Sequence, residues 1–374
     1  MFAPPFRSMS CSSTDCESRT SATSPQSGFL NRNISAIPAA KIGDEKRYMI
    51  LTPQEHEHSG TRTVDVDNSP WNQDAWALVE HKLSARVVHF ARNKIYYECR
   101  RALLSEENDA ESITLKPSSF WPMVERDADG EQYRPFLYEQ WRTFLSNYCT
   151  KQLSRQADKL LPVRALAGQM AAAIKDEYLK TAGMWKRDLA AELLWYIEPG
   201  DSPKTMPRAK QARTWSWAHR DARIGFVHGT TDAALPAALT ENKFHVTANS
   251  DGTLFLQGYS REILQIRPTD SRDLWVAEMR KEYPWDLFVS GSDDESVCIA
   301  QGALDDPDGI IPASNELMYL HVTDEVHPTG LILALDSNLS PAWRRIGVAT
   351  IFDLGDLVLD PPFQPDSFIN VFVE

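Results

Sequence analysis

The chain has 374 residues, 42% hydrophobic and 24% charged, with a formal net charge of −13; this is the composition of an ordinary globular protein, long enough for two or three domains and a sizeable core. Residues 1–250 carry 32 basic against 30 acidic side chains, whereas residues 251–374 carry 7 against 22, so the C-terminal third repels nucleic acid and anionic lipid, and neither is expected as a partner. Its acidic face reads first as a solubilising surface, and second as a site for a basic protein partner.

Cys11, Cys16, Cys99, Cys149 and Cys298 are odd in number, form no Cys-x-x-Cys and have no His at finger spacing. They are expected to be reduced thiols rather than a disulfide framework or a zinc site. The N-terminus carries no apolar signal segment, and no run approaches the roughly 20 apolar residues of a membrane span. The expected compartment is the cytoplasm, and the glycosylation-like triplets at Asn33 and Asn338 have no role there.

Residues 1–69 read as a disordered or loop-rich N-terminal segment. Residues 1–28 are Ser, Thr and Pro rich and cannot offset the entropy of ordering, while Phe29, Ile34, Ile37, Tyr48 and Ile50 suggest extended pieces between Gly28 and Leu51. His56 and His58 lie two apart in a polar loop with no third ligand near, so no metal is expected.

Order begins at Pro70. Trp76, Val79 and Leu83 recur at spacings of three and four behind Asp74, which predicts a capped helix of two to three turns. The β-branched and aromatic runs Arg86–Phe90 and Lys94–Cys99 predict a hairpin turning at Ala91-Arg92-Asn93. Trp76, Leu78, Val88 and Phe90 are the expected apolar face of this unit. Residues 101–135 read as a polar insertion anchored by Phe120-Trp121-Pro122.

Residues 136–197 read as helical. Trp141, Phe144, Leu145, Tyr148 and Leu153 share one stripe, and a second helix starts near Asp158, holds Pro162 in its first turn and buries Leu166, Met170 and Ile174. From Tyr178 to Trp217 the chain is loaded with large aromatics. Leu189, Leu193 and Trp195 behind Asp188, with Trp185 one turn earlier, predict a short buried helix, and Trp215 and Trp217 alternate around Ser216 as in a strand.

Beyond a linker at 198–212, the period changes to two. Nine strands are predicted in the region 213–374, near 224–227, 244–248, 253–257, 263–266, 287–289, 297–300, 317–322, 330–335 and 343–352, with Asp251-Gly252 as a hairpin turn and Leu331, Leu333 and Leu335 on one face. The expected fold class is α+β: a helical N-terminal half packed on a mostly antiparallel, β-rich C-terminal half.

Trp76, Leu78, Glu80, Leu83, Arg86, Val87, Phe90, Tyr97, Glu98 and Cys99 resemble the last block of the fungal heterokaryon-incompatibility (HET) domain, a Trp-Thr-Leu-Gln-Glu helix followed by Arg-Val-x-x-Phe and aromatic-Glu-Cys strands. Ala77 and Val79 stand where that family tends to have Thr and Gln, which removes any polar role there. The Tyr-x-x-Leu-Ser-Tyr-x-Trp-Gly and Trp-Ile-Asp-x-x-Cys-Ile-x-Gln blocks that open the domain have no counterpart before residue 60. The region 138–218 resembles the segment downstream of the HET domain. It has, in order, a Trp helix, Asp158-x-Leu with Ala and Gly behind it, Gly183-x-Trp185-x-x-Asp188-Leu189 leading to Trp195, and Trp215-Ser216-Trp217-Ala218. Arg344-Arg345-Ile346-Gly347-Val348 resembles the family's closing Tyr-x-Arg-Val-Gly strand. Residues 70–100 are thus read as a HET remnant of helix plus hairpin.

Searches for chemistry narrow the field. His219-Arg220-Asp221 lacks the Lys and Asn of a kinase loop, and Asp305, Asp306 and Asp308 lack calcium-loop ligands at the first and twelfth positions. There is no nucleophile elbow and no His-Glu-x-x-His helix. Glu80 and Glu98 are the carboxylates to watch, as acid/base candidates beside Trp76 and Tyr97 or as surface partners of Arg86 and Arg100. No cofactor is expected. The resemblance implies a non-enzymatic protein of vegetative incompatibility and cell death, working through an unidentified protein partner. Its structural motif residues are Trp76, Arg86, Phe90, Trp185, Asp188, Trp195, Trp215 and Trp217. Because the HET family is distantly related to TIR-type domains, some of which cleave NAD, a second reading is an NAD-cleaving enzyme with Glu80 as acid or nucleophile. A third is a truncated, inactive relative.

Overall fold

The computed structural model describes residues 69–90, 95–99, 103–105, 134–155, 158–198, 212–227, 244–269, 284–290, 296–306, 316–323, 328–335, 342–351 and 368–373, with Val66 and the strand backbones at 9–13, 35–42 and 45–51. Asn33, the His56/His58 pair, the Ala91–Asn93 turn, the Phe120–Pro122 anchor, Asn338 and most of the 198–212 linker lie outside these residues, as do Cys16 and the side chain of Cys11. Helices and antiparallel strands are both prominent, which makes the chain α+β. It divides into two compact units, residues 1–137 with 151–154, and residues 138–150 with 155–374.

In the first unit, β1 (Met9–Ser13) runs parallel to β4 (Arg86–Phe90), which pairs antiparallel with β5 (Ile95–Cys99) and through it with β6 (Leu103–Ser105); β2 (Ser35–Ile42) and β3 (Glu45–Leu51) form a separate hairpin. Within the region 1–28, expected to be disordered, residues 9–13 form a strand, and strands share the N-terminal part with helices. Helix α1 (Ala75–Leu83) starts where the sequence requires it. Asp74 has extended backbone and its Oδ1 accepts the Ala77 N–H at 2.9 Å, leaving one fewer helix donor unsatisfied. Gln152 fastens the same helix start, accepting from Ala75 N at 3.0 Å and donating to Gln73 O at 2.7 Å.

The second unit opens with α2 (Arg134–Cys149), whose residues from 138 onward belong to it, and α3 (Leu160–Ile174). Their buried stripes are Trp141, Phe144, Leu145 and Tyr148 on α2, and Leu166, Met170 and Ile174 on α3, as the spacing of three and four predicts. Pro162 lies in the first turn of α3, and Lys175 ends the helix in the left-handed region with φ 51°.

The aromatic stretch departs from the predicted helix. Trp185 lies on β8 (Met184–Trp185), paired with β7 (Tyr178–Leu179); α4 (Leu189–Glu192) is a single turn; and Trp195 opens β9 (Trp195–Ile197), paired antiparallel with β10 (Ile224–Phe226). Trp215 and Trp217 are not on a strand either. Trp215 sits in a turn and Trp217 begins a 3-10 helix capped by Ser216, whose hydroxyl accepts from Ala218 N. A run this rich in Trp and Leu satisfies helical and strand periods equally, and strand pairing decided the outcome, locally between Trp185 and Tyr178 and at longer range between Trp195 and Phe226.

The rest of this unit is a nine-stranded sheet in the order β11 (His245–Ala248), β12 (Leu254–Ile263), β16 (Glu316–Thr323), β17 (Thr329–Leu335), β18 (Trp343–Thr350), β15 (Ser296–Leu304), β14 (Trp285–Ser290), β13 (Gln265–Pro268). The ninth strand, β19 (Phe368–Val373), lies antiparallel against β12 and meets β18 at Trp343–Val373. It has no counterpart among the predicted strands. The Asp251-Gly252 turn is as expected, with Gly252 at φ 86° and the Gly252 N–H donating to Asn249 O. Strands β16 and β17 are buried on both faces. Ile332, Ala334, Leu317 and Tyr319 join one core cluster with Leu287 and Ala349, while Leu331 and Leu333 share the opposite face with Arg345, Leu333's partner in register.

Candidate functional site

The first cluster of chemical interest lies in the first unit, where α1 meets β4 and β5. In the β4–β5 register Val87 lies opposite Glu98, and His89 opposite Tyr96, so these four share one face of the hairpin. Val87 and Tyr96 are 2% exposed and His89 is fully buried. The buried phase of β4 is therefore Val87 and His89, whereas Val88 and Phe90, expected on the apolar face, are half-buried. From the last turn of α1, His81 reaches the same place, one turn beyond the buried Ala77 and Leu78.

Glu98 receives both imidazoles. Its Oε2 is 3.0 Å from His81 Nε2 and 3.2 Å from His89 Nε2, and the three donor atoms all lie within 4.8 Å of one another. Trp71, on the 3-10 turn Pro70–Gln73 capped by Ser69, packs edge-on against both rings with centroids 5.6 Å away. The imidazoles are themselves 5.6 Å apart and nearly perpendicular. With Glu98 17% exposed and His81 9% exposed at the side chain, the cluster is almost closed to water.

Of the two carboxylates singled out from sequence, Glu98 is thus a member of a buried polar cluster with two histidines; Arg100 lies outside the described residues. Arg86 is exposed opposite Cys99. Glu80 is exposed on the outer side of α1, where its backbone carbonyl accepts from Ser84. Trp76 is half-buried on the same helix. His81, His89 and Trp71 were absent from the sequence candidates. The available signal was a histidine in the buried phase of β4, a position that pattern alone assigns to core.

The second cluster is the tryptophan core of the second unit. Trp141 and Trp185 meet edge to face at 5.4 Å, and Tyr178 lies 5.1 Å from Trp185. Three indole N–H groups find backbone acceptors: Trp195 donates to Trp215 O at 3.0 Å, Trp217 to Gly183 O at 3.0 Å, and Trp215 to Gly252 O at 3.2 Å. Gly183 has φ 75°, and a Cβ there would lie 2.6 Å from Leu160 Cδ2 and 3.0 Å from the Trp217 ring, so both the backbone and the ring contact require glycine.

Asp188 caps nothing with its side chain; its carboxylate pairs instead with Arg142. One helical turn on, the buried Glu192 accepts the Trp185 N–H at 2.6 Å. Burial, and then the neighbouring Asp188 charge, hold its carboxyl well above the usual carboxylate range. Arg345 ties the sheet to this core. Its guanidinium stacks 3.9 Å from the Trp195 ring centroid, donates to Leu193 O at 3.2 Å and to Trp195 O, and forks onto both Asp305 oxygens. Asp305, part of the acidic run rejected as a calcium loop, is therefore an internal counter-ion.

Cys99, Cys149 and Cys298 are free thiols. Burial pushes Cys149 and Cys298 each up to about 11, so neither is a nucleophile at neutral pH. Among the described residues no helix is long and apolar enough to cross a membrane. The sequence matches no family model, and no curated protein and no solved structure matches it at a significant level.

Proposed function

We propose that this chain is a HET-like protein that acts without catalysis, through contacts with a protein partner in the cytoplasm, in fungal vegetative incompatibility and the associated cell death. One observation carries the reading. The residues of the downstream resemblance, Trp185, Trp195, Trp215, Trp217 and Arg345, come from separate stretches of the chain and meet in one buried core. Trp195, Trp215, Trp217 and Arg345 donate to backbone carbonyls and Trp185 packs against Trp141 and Tyr178, the contacts of a packed scaffold. In this reading the helical region 136–197 is an arm packed on the β-rich domain, and the HET remnant at 70–100 is carried beside it in sequence. Glu80, the candidate nucleophile of the NAD-cleaving alternative, is exposed on a helix surface, which favours the non-enzymatic reading.

The test is induced expression in a filamentous fungus, of the chain alone and of the chain joined to the two opening HET blocks, scored by growth arrest and loss of viability. Arrest by the joined form is the expected result. Silence from both forms would leave the inactive-relative reading in its place, and NAD consumption by purified protein that disappears in Glu80→Gln would make the chain an enzyme.

A further inference from the structure

We propose that His81, His89 and Glu98 form a binding site for one divalent transition-metal ion of the zinc type, which fastens α1 to the β4–β5 hairpin. Three donor atoms, two imidazole Nε2 and one carboxylate Oε2, converge from three different elements. Two neutral nitrogens and one anionic oxygen make a borderline donor set that suits zinc and excludes calcium and magnesium, which take oxygen shells. The separations agree with this. Ligands about 2.0–2.1 Å from a tetrahedral ion lie roughly 3.3 Å apart; Glu98 Oε2 stands 3.0 and 3.2 Å from the two nitrogens, and all three donor atoms lie within 4.8 Å of one another, close enough for a small side-chain adjustment to gather them around one ion.

The surroundings also fit. His89 is fully buried near the end of a strand, and His81 is held in the last turn of a helix whose start is capped, so two ligands are fixed by rigid backbone before any ion arrives. Trp71 walls both rings edge-on, restricting their rotation and excluding bulk water from one side. With both Nε2 atoms as ligands, each ring keeps its proton on Nδ1. Solvent would supply the fourth ligand of a four-coordinate shell.

The assignment explains why one carboxylate oxygen collects two imidazoles in a nearly closed site. As hydrogen bonds alone, both would have to donate to a single oxygen. As ligands, they would share an ion with it.

The experiment uses the full chain, stripped with chelator, dialysed and titrated with Zn(II) by calorimetry, with Co(II) as a spectroscopic substitute. One Zn(II) per chain should bind, and Co(II) should give the visible absorption of a low-symmetry site with nitrogen and oxygen ligands. Removing an outer-shell partner of a metal ligand commonly costs about 10–100-fold in affinity, so loss of a direct ligand in His81→Ala or Glu98→Gln should cost at least that much. Because His81 is the more accessible of the two imidazoles and Glu98→Gln preserves shape, circular dichroism of both variants separates loss of the ion from loss of the fold. The double variant His56→Ala/His58→Ala should bind as the parent does. Binding that is substoichiometric, unchanged in His81→Ala and Glu98→Gln, or abolished by the His56/His58 change would overturn the assignment.

Discussion

Arg345→Met tests whether the sheet is locked to the tryptophan core by a single guanidinium. The ion pair with Asp305 is buried, with side-chain exposures of 0% and 5%. Removing the cation leaves the Asp305 carboxylate without its counter-ion inside the protein, which costs about 3–5 kcal/mol. The carbonyls of Leu193 and Trp195 each lose a charged donor, adding about 1 kcal/mol apiece, while the methionine side chain recovers part of the contact with the Trp195 ring. The net expectation is a loss of about 4 kcal/mol, enough to lower a urea midpoint by about 1–2 M. Urea titration followed by tryptophan emission and, separately, by far-ultraviolet circular dichroism measures it. Combining Arg345→Met with Asp305→Asn should restore about 2 kcal/mol relative to the sum of the single losses, because the buried charge is then gone. A loss below about 1 kcal/mol, or strictly additive single variants, would mean that the pair is solvated and the lock is not there.

Trp195→Ala should cost about 3–5 kcal/mol, the range for large aromatic truncations in cores; full solubility and an unchanged melting temperature in that variant would remove Trp195 from the core. Glu192 carries a pH signature. Since its folded-state carboxyl is raised above the ordinary 4.5, the folded form binds the proton more tightly. Its contribution is therefore complete below the unfolded value and is lost as pH rises through the raised folded value. Urea midpoints measured across that window should fall more steeply for the parent than for Glu192→Gln, and identical slopes would refute the assignment.

Much of the β-rich domain was legible because its strands are short apolar and β-branched runs, alternating as in β12 or apolar on both faces as in β16 and β17. Residues 317–322 and 330–335 were each recovered to within a residue or so of β16 and β17, and the α1 cap at Asp74 could be read from its position alone. What escaped needed partners that sequence does not name. Trp185 and Trp195 are strand residues only because Tyr178 and Phe226 come alongside them. Strand β19 comes after a Pro-rich run and is stabilised by β12, more than a hundred positions earlier in the sequence. His81, His89 and Glu98 are spaced by eight and nine residues, which matches no ligand motif; a helix, a strand and a return strand place them together. The apolar phase of β4 was misjudged by one residue for the same reason, since a histidine was not counted as core.

The pairing of β12 with β19 has a temporal consequence. On the side away from β11, residues 254–259 find their antiparallel partner in residues 368–373, so during synthesis β12 emerges long before that partner has been made. Until then its half from Leu254 to Tyr259 offers open amide and carbonyl groups along one side, the geometry that recruits foreign strands. Pairings this distant in sequence also form slowly once the chain is complete. The yield of folded protein should thus be governed by how long this edge stays open, rising when synthesis is slowed by cooling or when chaperones occupy the edge.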